Sequence, residues 1–255
     1  MRSYRAILFD MFDTLVNFER DCLPLASLRG TAIRTTSPLV YEIVKPVCPT
    51  VSLEAFIEAF IDSHRIAEAI RARDLREVSA EQRFRILFDT LGIGDGPHVA
   101  ALMEAGIAEH MRQLAHAMDF PESHRTVLER LSSRYRLGLV SNFDHAPTVE
   151  TTLRRWGALG AFEAVVVSAA IGWRKPRPEI FHEAFRRMGL EPAEAIFIGD
   201  TPEVDLAGAQ AVGMDVIWLD HGVKPLPPGL ASPTHTVSRL EEVLDVLRPP
   251  GGRGL

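Results

Sequence analysis

The chain has 255 residues, 46% of them hydrophobic and 24% charged, with a formal net charge of −6. This is enough for one large domain, or for one domain with a sizeable insertion, and the acidic balance lacks the basic surface that nucleic-acid binding requires. No run approaches the ~20 apolar residues of a membrane helix, and "MRSYRAILFD" at the amino terminus lacks a signal-peptide pattern. The expected setting is therefore the cytoplasm, with neither membrane nor nucleic acid as partner. Cys22 and Cys48 occur outside any C-x-x-C or histidine-rich context, which fits unlinked thiols in a reducing compartment.

In chain order, "AILF" (Ala6 to Phe9) is the first apolar run of strand length, and Asp10 closes it. The segment 17–119 differs: "SLEAFIEAFIDSHRIAEAIRAR" and "SAEQRFRILFDTLG" read as long helices, and no clear strand is evident. From about residue 120 the strand-like runs return, each followed by a polar residue. They are "LGLV" before Ser141, "AVVV" before Ser168, "AIFI" before Gly199 and Asp200, and "VIWL" before Asp220. Between them "PTVETTLRRWG", "PEIFHEAFRRMGL" and "VDLAGAQAVG" read as helices, the second with Pro178 near its start and Gly189 as its stop. "PLPPGLASP" reads as a loop and "RPPGGRGL" as a frayed tail.

Continuous rather than alternating apolar runs are the mark of strands buried on both faces. Their alternation with helices predicts an α/β, Rossmann-like parallel sheet with helices on both faces. The predicted organisation is a discontinuous core, 1–16 and 120–255, interrupted by a mainly helical insertion, 17–119. In such sheets the ligand site lies beyond the carboxyl ends of the strands, where the polar residues just named fall.

Those ends carry a coherent set. Asp10 is a carboxylate after the first strand; Ser141 is a hydroxyl, with Asn142 beside it; Asp200 and Asp205, in "GDTPEVD", are two further acids. Lys175 precedes the Pro178 helix in a chain whose other lysines are Lys45 and Lys224. Phosphoryl transfer needs a nucleophile in line with the departing oxygen, with positive charge and donors around the phosphoryl oxygens. A magnesium ion on hard oxygen ligands lets an anionic nucleophile approach an anionic substrate. Asp10 suits the nucleophile, Asp200 the metal, and Ser141 and Lys175 the phosphate.

With these residues the chain resembles a haloacid dehalogenase superfamily hydrolase. The family's Asp-x-Asp-x-Thr motif corresponds to Asp10-Met11-Phe12-Asp13-Thr14, its Ser/Thr motif to Ser141, its lysine motif to Lys175-Pro176, and its Gly-Asp-x-x-x-x-Asp motif to Gly199, Asp200 and Asp205. The four occur in order and span the core, and the insertion stands where the family carries a cap. The resemblance implies that Asp10 forms a covalent aspartyl intermediate. It further implies that Asp10, Asp200 and the Phe12 backbone carbonyl bind Mg²⁺, and that Asp205 supports the metal or pairs with Lys175. Thr14, Ser141, Asn142 and Lys175 would position the phosphate and the first motif. The implied partner is a small, anionic substrate enclosed by the cap, on a monomer or homodimer.

Phe12 departs from the pattern. The family's phosphatases carry there the acid that protonates the departing oxygen and then activates water, a function worth ~10²–10⁴-fold in rate. Asp13 reads as a turn residue rather than a substitute. A metal-dependent phosphatase remains the first reading, because the metal motif is intact. A metal-independent 2-haloacid dehalogenase is the alternative, since a halide leaves without a proton, but "GDTPEVD" speaks against it. A phosphonate hydrolase would need an activated cap lysine, and the insertion offers Lys45 alone. A binding or regulatory member would have little need of Asp10, Lys175 and Asp200 together. His145, Trp173 and Arg174 are further candidates for substrate contact. Arg29, Arg34, Arg71, Arg73 and Arg76 in the insertion are mostly expected on solvated helix faces.

Overall fold

The computed structural model describes residues 4–222 and 225–247; the tail read from Arg248 onward lies outside them. In chain order the strands are β1 (Ala6–Phe9), β2 (Asn17–Phe18), β3 (Leu25–Leu28), β4 (Thr31–Arg34), β5 (Met118–Asp119), β6 (Arg136–Ser141), β7 (Ala164–Val167), β8 (Ala195–Gly199), β9 (Asp215–Leu219) and β10 (His235–Val237). The α-helices are α1 (Ser37–Val44), α2 (Leu53–Asp74), α3 (Ala80–Thr90), α4 (Pro97–His116), α5 (Glu122–Ser132), α6 (Ala146–Arg155), α7 (Ser168–Ile171), α8 (Pro178–Met188), α9 (Ala207–Ala211) and α10 (Val243–Val246). The chain forms two compact units, one of Met1–Asn17, Phe120–Phe143 and Val149–Leu255, the other of Phe18–Asp119 and Asp144–Thr148.

The first unit is built on a six-stranded sheet in the order β10-β9-β8-β1-β6-β7. Its pairings are parallel throughout. β1 is central: Leu8 pairs with Gly138 of β6 on one side and with Phe197 of β8 on the other. The strand order reverses at β1, and in such sheets the usual ligand position is beyond the carboxyl ends of the strands at that reversal. All four residues of β1 are buried, as continuous apolar runs require. β10 escapes a reading by pattern because its three residues, "HTV", are too few to show a period.

Helix α8 shows how the sheet is covered. Its buried face comprises Ile180, Phe181, Ala184, Phe185 and Met188, the i, i+1, i+4, i+5, i+8 stripe of an amphipathic helix. Phe181 meets Phe197 of β8 edge-on, with ring centroids 5.4 Å apart, and burying each such side chain contributes about 1.5–3 kcal/mol. A Cβ on Gly138 would lie 2.9 Å from the Met188 sulfur, which accounts for the glycine inside an otherwise bulky strand. The helix ends at Gly189, whose φ of 57° is left-handed.

The second unit is mainly α1–α4, but it is not purely helical. β3 and β4 form an antiparallel hairpin, Leu28 pairing with Thr31. Its two turn residues, Arg29 (φ 50°) and Gly30 (φ 77°), both have positive φ, the backbone that suits a tight hairpin turn. The expectation of no strand here is therefore corrected: "LASL" and "TAIR" are four residues each and mostly exposed, so neither is the continuous buried apolar run by which the other strands are read. The helices enclose Phe56, Phe60, Phe84 and Phe88. Ser79 and Gln82 form a capping box at the start of α3. Arg71 corrects another expectation. Its side chain is 8% exposed and pairs with Glu77 at 2.8 Å, so it belongs to the interior rather than to a solvated face. Among the described residues, no helix is long and apolar enough to cross a membrane.

Candidate active site

β1, β6 and β8 are adjacent and parallel, so Asp10, Ser141 and Asp200 emerge at one edge of the sheet. The Asp10 N–H donates to the Ile198 carbonyl at 2.8 Å, extending the β1–β8 ladder by one bond and fixing where the carboxylate leaves the sheet. The next turn is tight. Leu15 N–H donates to Met11 O at 2.9 Å and Asp13 N–H to Val16 O at 2.7 Å. Asp13 has a φ of 56°, a conformation that Asp tolerates better than most residues, and its carbonyl is hydrogen-bonded by His221 at 2.7 Å. It has the backbone of a turn residue. Thr14 is buried, and its hydroxyl donates to Asp200 Oδ1 at 3.3 Å.

Lys175 reaches this edge from the segment before α8. Its ammonium lies 2.5 Å from Asp10 Oδ1 and 2.8 Å from Asp205 Oδ1, with the lysine side chain 1% exposed. Asp205 arrives on a wide π-type turn, Pro202–Leu206, directly after β8. Its second oxygen accepts the Thr201 N–H at 3.0 Å. Close approach to β8 is possible because residue 199 is glycine: a Cβ there would lie 2.6 Å from the Asp205 carboxylate. Asp200 also accepts the Thr201 hydroxyl at 3.1 Å, and its carbonyl accepts the Trp218 indole N–H at 3.0 Å.

The electrostatics follow from three acids around one ammonium. Burial, together with the Asp205 and Asp200 carboxylates, pushes the Asp10 carboxyl up to about 7, against the pull of Lys175. Burial and Asp205 hold Asp200 above the usual carboxylate range. Burial acts to lower Lys175, but Asp10 and Asp205 outweigh it and hold the ammonium above the usual lysine range. One oxygen each of Asp10, Asp200 and Asp205 lies within 4.8 Å of the others, and hard carboxylate oxygens at such spacing suit a divalent cation such as Mg²⁺. The Ser141 hydroxyl is buried with no hydrogen-bond partner among the described residues. A buried unsatisfied hydroxyl is costly, so it is suited to an incoming polar group.

Asn142 is used differently from a free substrate contact. Its side-chain oxygen accepts the Lys175 N–H at 2.8 Å, and its amide nitrogen donates to the Lys175 carbonyl at 3.1 Å. One carboxamide thus grips the backbone of the lysine. Ser168, at the end of β7, does the same for Phe143: its hydroxyl accepts the Phe143 N–H at 2.9 Å and donates to the Phe143 carbonyl at 3.1 Å. Neither grip follows from motif spacing; the sole signal for Ser168 is its place as a polar residue ending an apolar run. Thr201 and Trp218 were likewise missed as partners of Asp200, the latter because its N–H hides in an apolar run. Phe12 packs on Phe143, with ring centroids 5.1 Å apart. Trp173 lies 4.3 Å beneath the Arg177 guanidinium. His145 falls in the second unit, where its ring bonds the Thr148 hydroxyl at 2.8 Å.

Residues 4–213 match the family of haloacid dehalogenase-like hydrolases. The chain is 29% identical over 253 residues to the glyceraldehyde 3-phosphate phosphatase of Methanopyrus kandleri, covering 96% of this chain and 97% of that one. The phosphoserine phosphatase of Thermus thermophilus is 34% identical over 153 residues, 56% of this chain and 60% of its own. The solved structure of a 2-haloacid dehalogenase from Pseudomonas syringae pv. Tomato superposes with a TM-score of 0.73 at 22% identity, over 96% of this chain and 98% of its own. With its parallel sheet and its four motif segments, the chain belongs to the haloacid dehalogenase-like hydrolases.

Proposed function

We propose that the protein is a Mg²⁺-dependent phosphatase acting on a small phosphorylated metabolite through an aspartyl-phosphate on Asp10. The observation that carries this reading is the Asp10, Asp200 and Asp205 oxygens within 4.8 Å of one another, with Lys175 bridging Asp10 and Asp205. Both curated relatives described above are named as phosphatases. The dehalogenase likeness, at 22% identity, speaks for the fold alone.

Asp10 and Asp200, with the Phe12 carbonyl, would hold the metal. Bound Mg²⁺ supplies the positive charge that keeps Asp10 ionised and offsets the phosphoryl oxygens. Asp10 attacks phosphorus, and the Ser141 hydroxyl and Lys175 ammonium hold the phosphoryl oxygens in line. Asp205 and Asn142 keep Lys175 in place, and Thr14 steadies Asp200. The second unit serves as the cap that selects the substrate. 4-Nitrophenyl phosphate is expected to be hydrolysed with Mg²⁺ and not in excess chelator. Unchanged turnover in chelator would sink the metal-dependent reading, and halide release from a 2-haloacid without metal would establish the dehalogenase instead.

A further inference from the structure

Two unlike groups of residues follow the ends of β1, β6 and β8. One is charged: Lys175 lies 2.5 Å from Asp10 and 2.8 Å from Asp205, with Asp200 within 4.8 Å of both acids. The other is apolar: Phe12, two residues after Asp10, packs on Phe143, two residues after Ser141. Both phenylalanines are half-buried, and their rings are inclined at 36° to each other. Their backbones are pinned, Phe12 by the turn closed between Asp13 and Val16 and Phe143 by the Ser168 hydroxyl. The two rings, packed on each other after the ends of β1 and β6, form an apolar wall with no dissociable proton. The Lys175 ammonium is held by two carboxylates, Asp10 at 2.5 Å and Asp205 at 2.8 Å. Asp10 and Asp200 are committed to attack and to metal, and Asp205 to Lys175.

Resting on the phosphatase reading, we infer that the substrate's departing oxygen leaves as an anion stabilised by its own conjugation. The substrate is thus an aryl phosphate or an acyl phosphate, and not a simple alkyl phosphate. In the first step an Asp10 oxygen bonds to phosphorus while the bond from phosphorus to the departing oxygen breaks. The electron pair goes with the phenolate or carboxylate, and no proton is transferred. In the second step water adds to phosphorus, the bond to Asp10 breaks with its pair returning to the carboxylate, and dihydrogen phosphate is released. The wall provides no base for that water, so the second step is slow and the phosphoenzyme accumulates. Flat conjugated groups fit against the two rings, as aromatic surfaces prefer.

The test compares 4-nitrophenyl phosphate, phenyl phosphate, benzoyl phosphate, acetyl phosphate and butyl phosphate with the intact chain in Mg²⁺. An enzyme that protonates the departing oxygen levels the series. Here kcat/KM for the nitrophenyl and benzoyl compounds is expected to exceed that for butyl phosphate by ~10²–10⁴-fold, the range a missing general acid implies, and the first turnover should release a burst of nitrophenol close to one per enzyme. Butyl phosphate within tenfold of nitrophenyl phosphate would overturn the inference while leaving a working phosphatase. No Mg²⁺-dependent release from any compound would remove the phosphatase reading, and the inference with it. Phe143→Ala should raise KM for phenyl and benzoyl phosphate but not for acetyl phosphate; equal effects on all three would remove the wall from the argument. Phe12→Asp should raise the butyl phosphate rate, and the wild-type series decides by itself if that variant does not fold.

Discussion

Each unit buries a cluster of charges, and the two are balanced differently. In the second unit the Arg71 guanidinium meets Glu77 at 2.8 Å and Asp144 at 3.8 Å, while Arg83 lies 3.5 Å from Asp144. Two guanidiniums meet three carboxylates there, since the half-exposed Glu68 also pairs with Arg71 at 2.5 Å, and aromatic rings complete the enclosure: Arg83 lies 5.1 Å from the Phe60 centroid and 5.2 Å from that of Phe84. In the first unit Lys175 is the ammonium among three carboxylates. A nearly matched cluster, its one excess carboxylate half in solvent, serves structure. An unmatched one keeps an excess of negative charge in a buried place, a state that persists where it is used. Burial first, and then the neighbouring carboxylates Asp205 and Asp200, raise the Asp10 carboxyl.

The comparison can be broken most sharply at Asp10, the proposed nucleophile. Asp10→Asn should lower turnover of 4-nitrophenyl phosphate by about 10⁴-fold or more, the scale of losing a nucleophile; a loss below tenfold would show that Asp10 is not the attacking group. Arg71→Met leaves the buried Glu77 carboxylate without its closest partner and is expected to cost about 3–5 kcal/mol in urea unfolding. A variant of normal stability with lost activity would move this cluster from structure to function. Asn142→Ala removes both hydrogen bonds to the Lys175 backbone, and about 1–3 kcal/mol of stability is expected to go with them. Activity should fall more through KM than kcat for a reactive aryl phosphate, since the proposed hold of Lys175 on the phosphoryl group is then weaker.

The smallest effect is the pH dependence. Asp10 has a folded pKa near 7 against an ordinary value of 3.8, so the folded state binds its proton more tightly than the unfolded one. Ionising it costs stability, and that cost grows as pH rises from about 4 to 7 and then levels. Asn mimics the protonated form. In chelator, the excess of the Asp10→Asn melting temperature over wild type should therefore widen from pH 5 to pH 7.5, and Mg²⁺ should narrow it for wild type. A gap independent of pH would mean that Asp10 is not raised.

Much of this is legible in the amino-acid sequence. β1, β6, β7, β8 and β9 are apolar runs long enough to declare themselves, and the polar residue after each run marks the functional edge. The hairpin was legible in principle, because Arg29-Gly30 stands between two short runs, but the helical signal around it is much stronger. Arg71 looks from its sequence like any charge on a long helix; the loop carrying Glu77 and the return of Asp144 make it an interior residue.

The sequence alone determined the class of fold and the identity of the acids, hydroxyls and lysine, since strand burial forces continuous apolar runs and the residues just past them must meet the crevice. It also determined that position 12 holds no acid. Tertiary structure decided how those groups are shared: that Asn142 holds a backbone, that Asp205 pairs with Lys175, and that Phe12 finds Phe143. Each of these joins residues brought together by neighbouring strand ends and the loops that follow them. Hydrogen-bond distance depends on where such loops return in space, which no local pattern encodes.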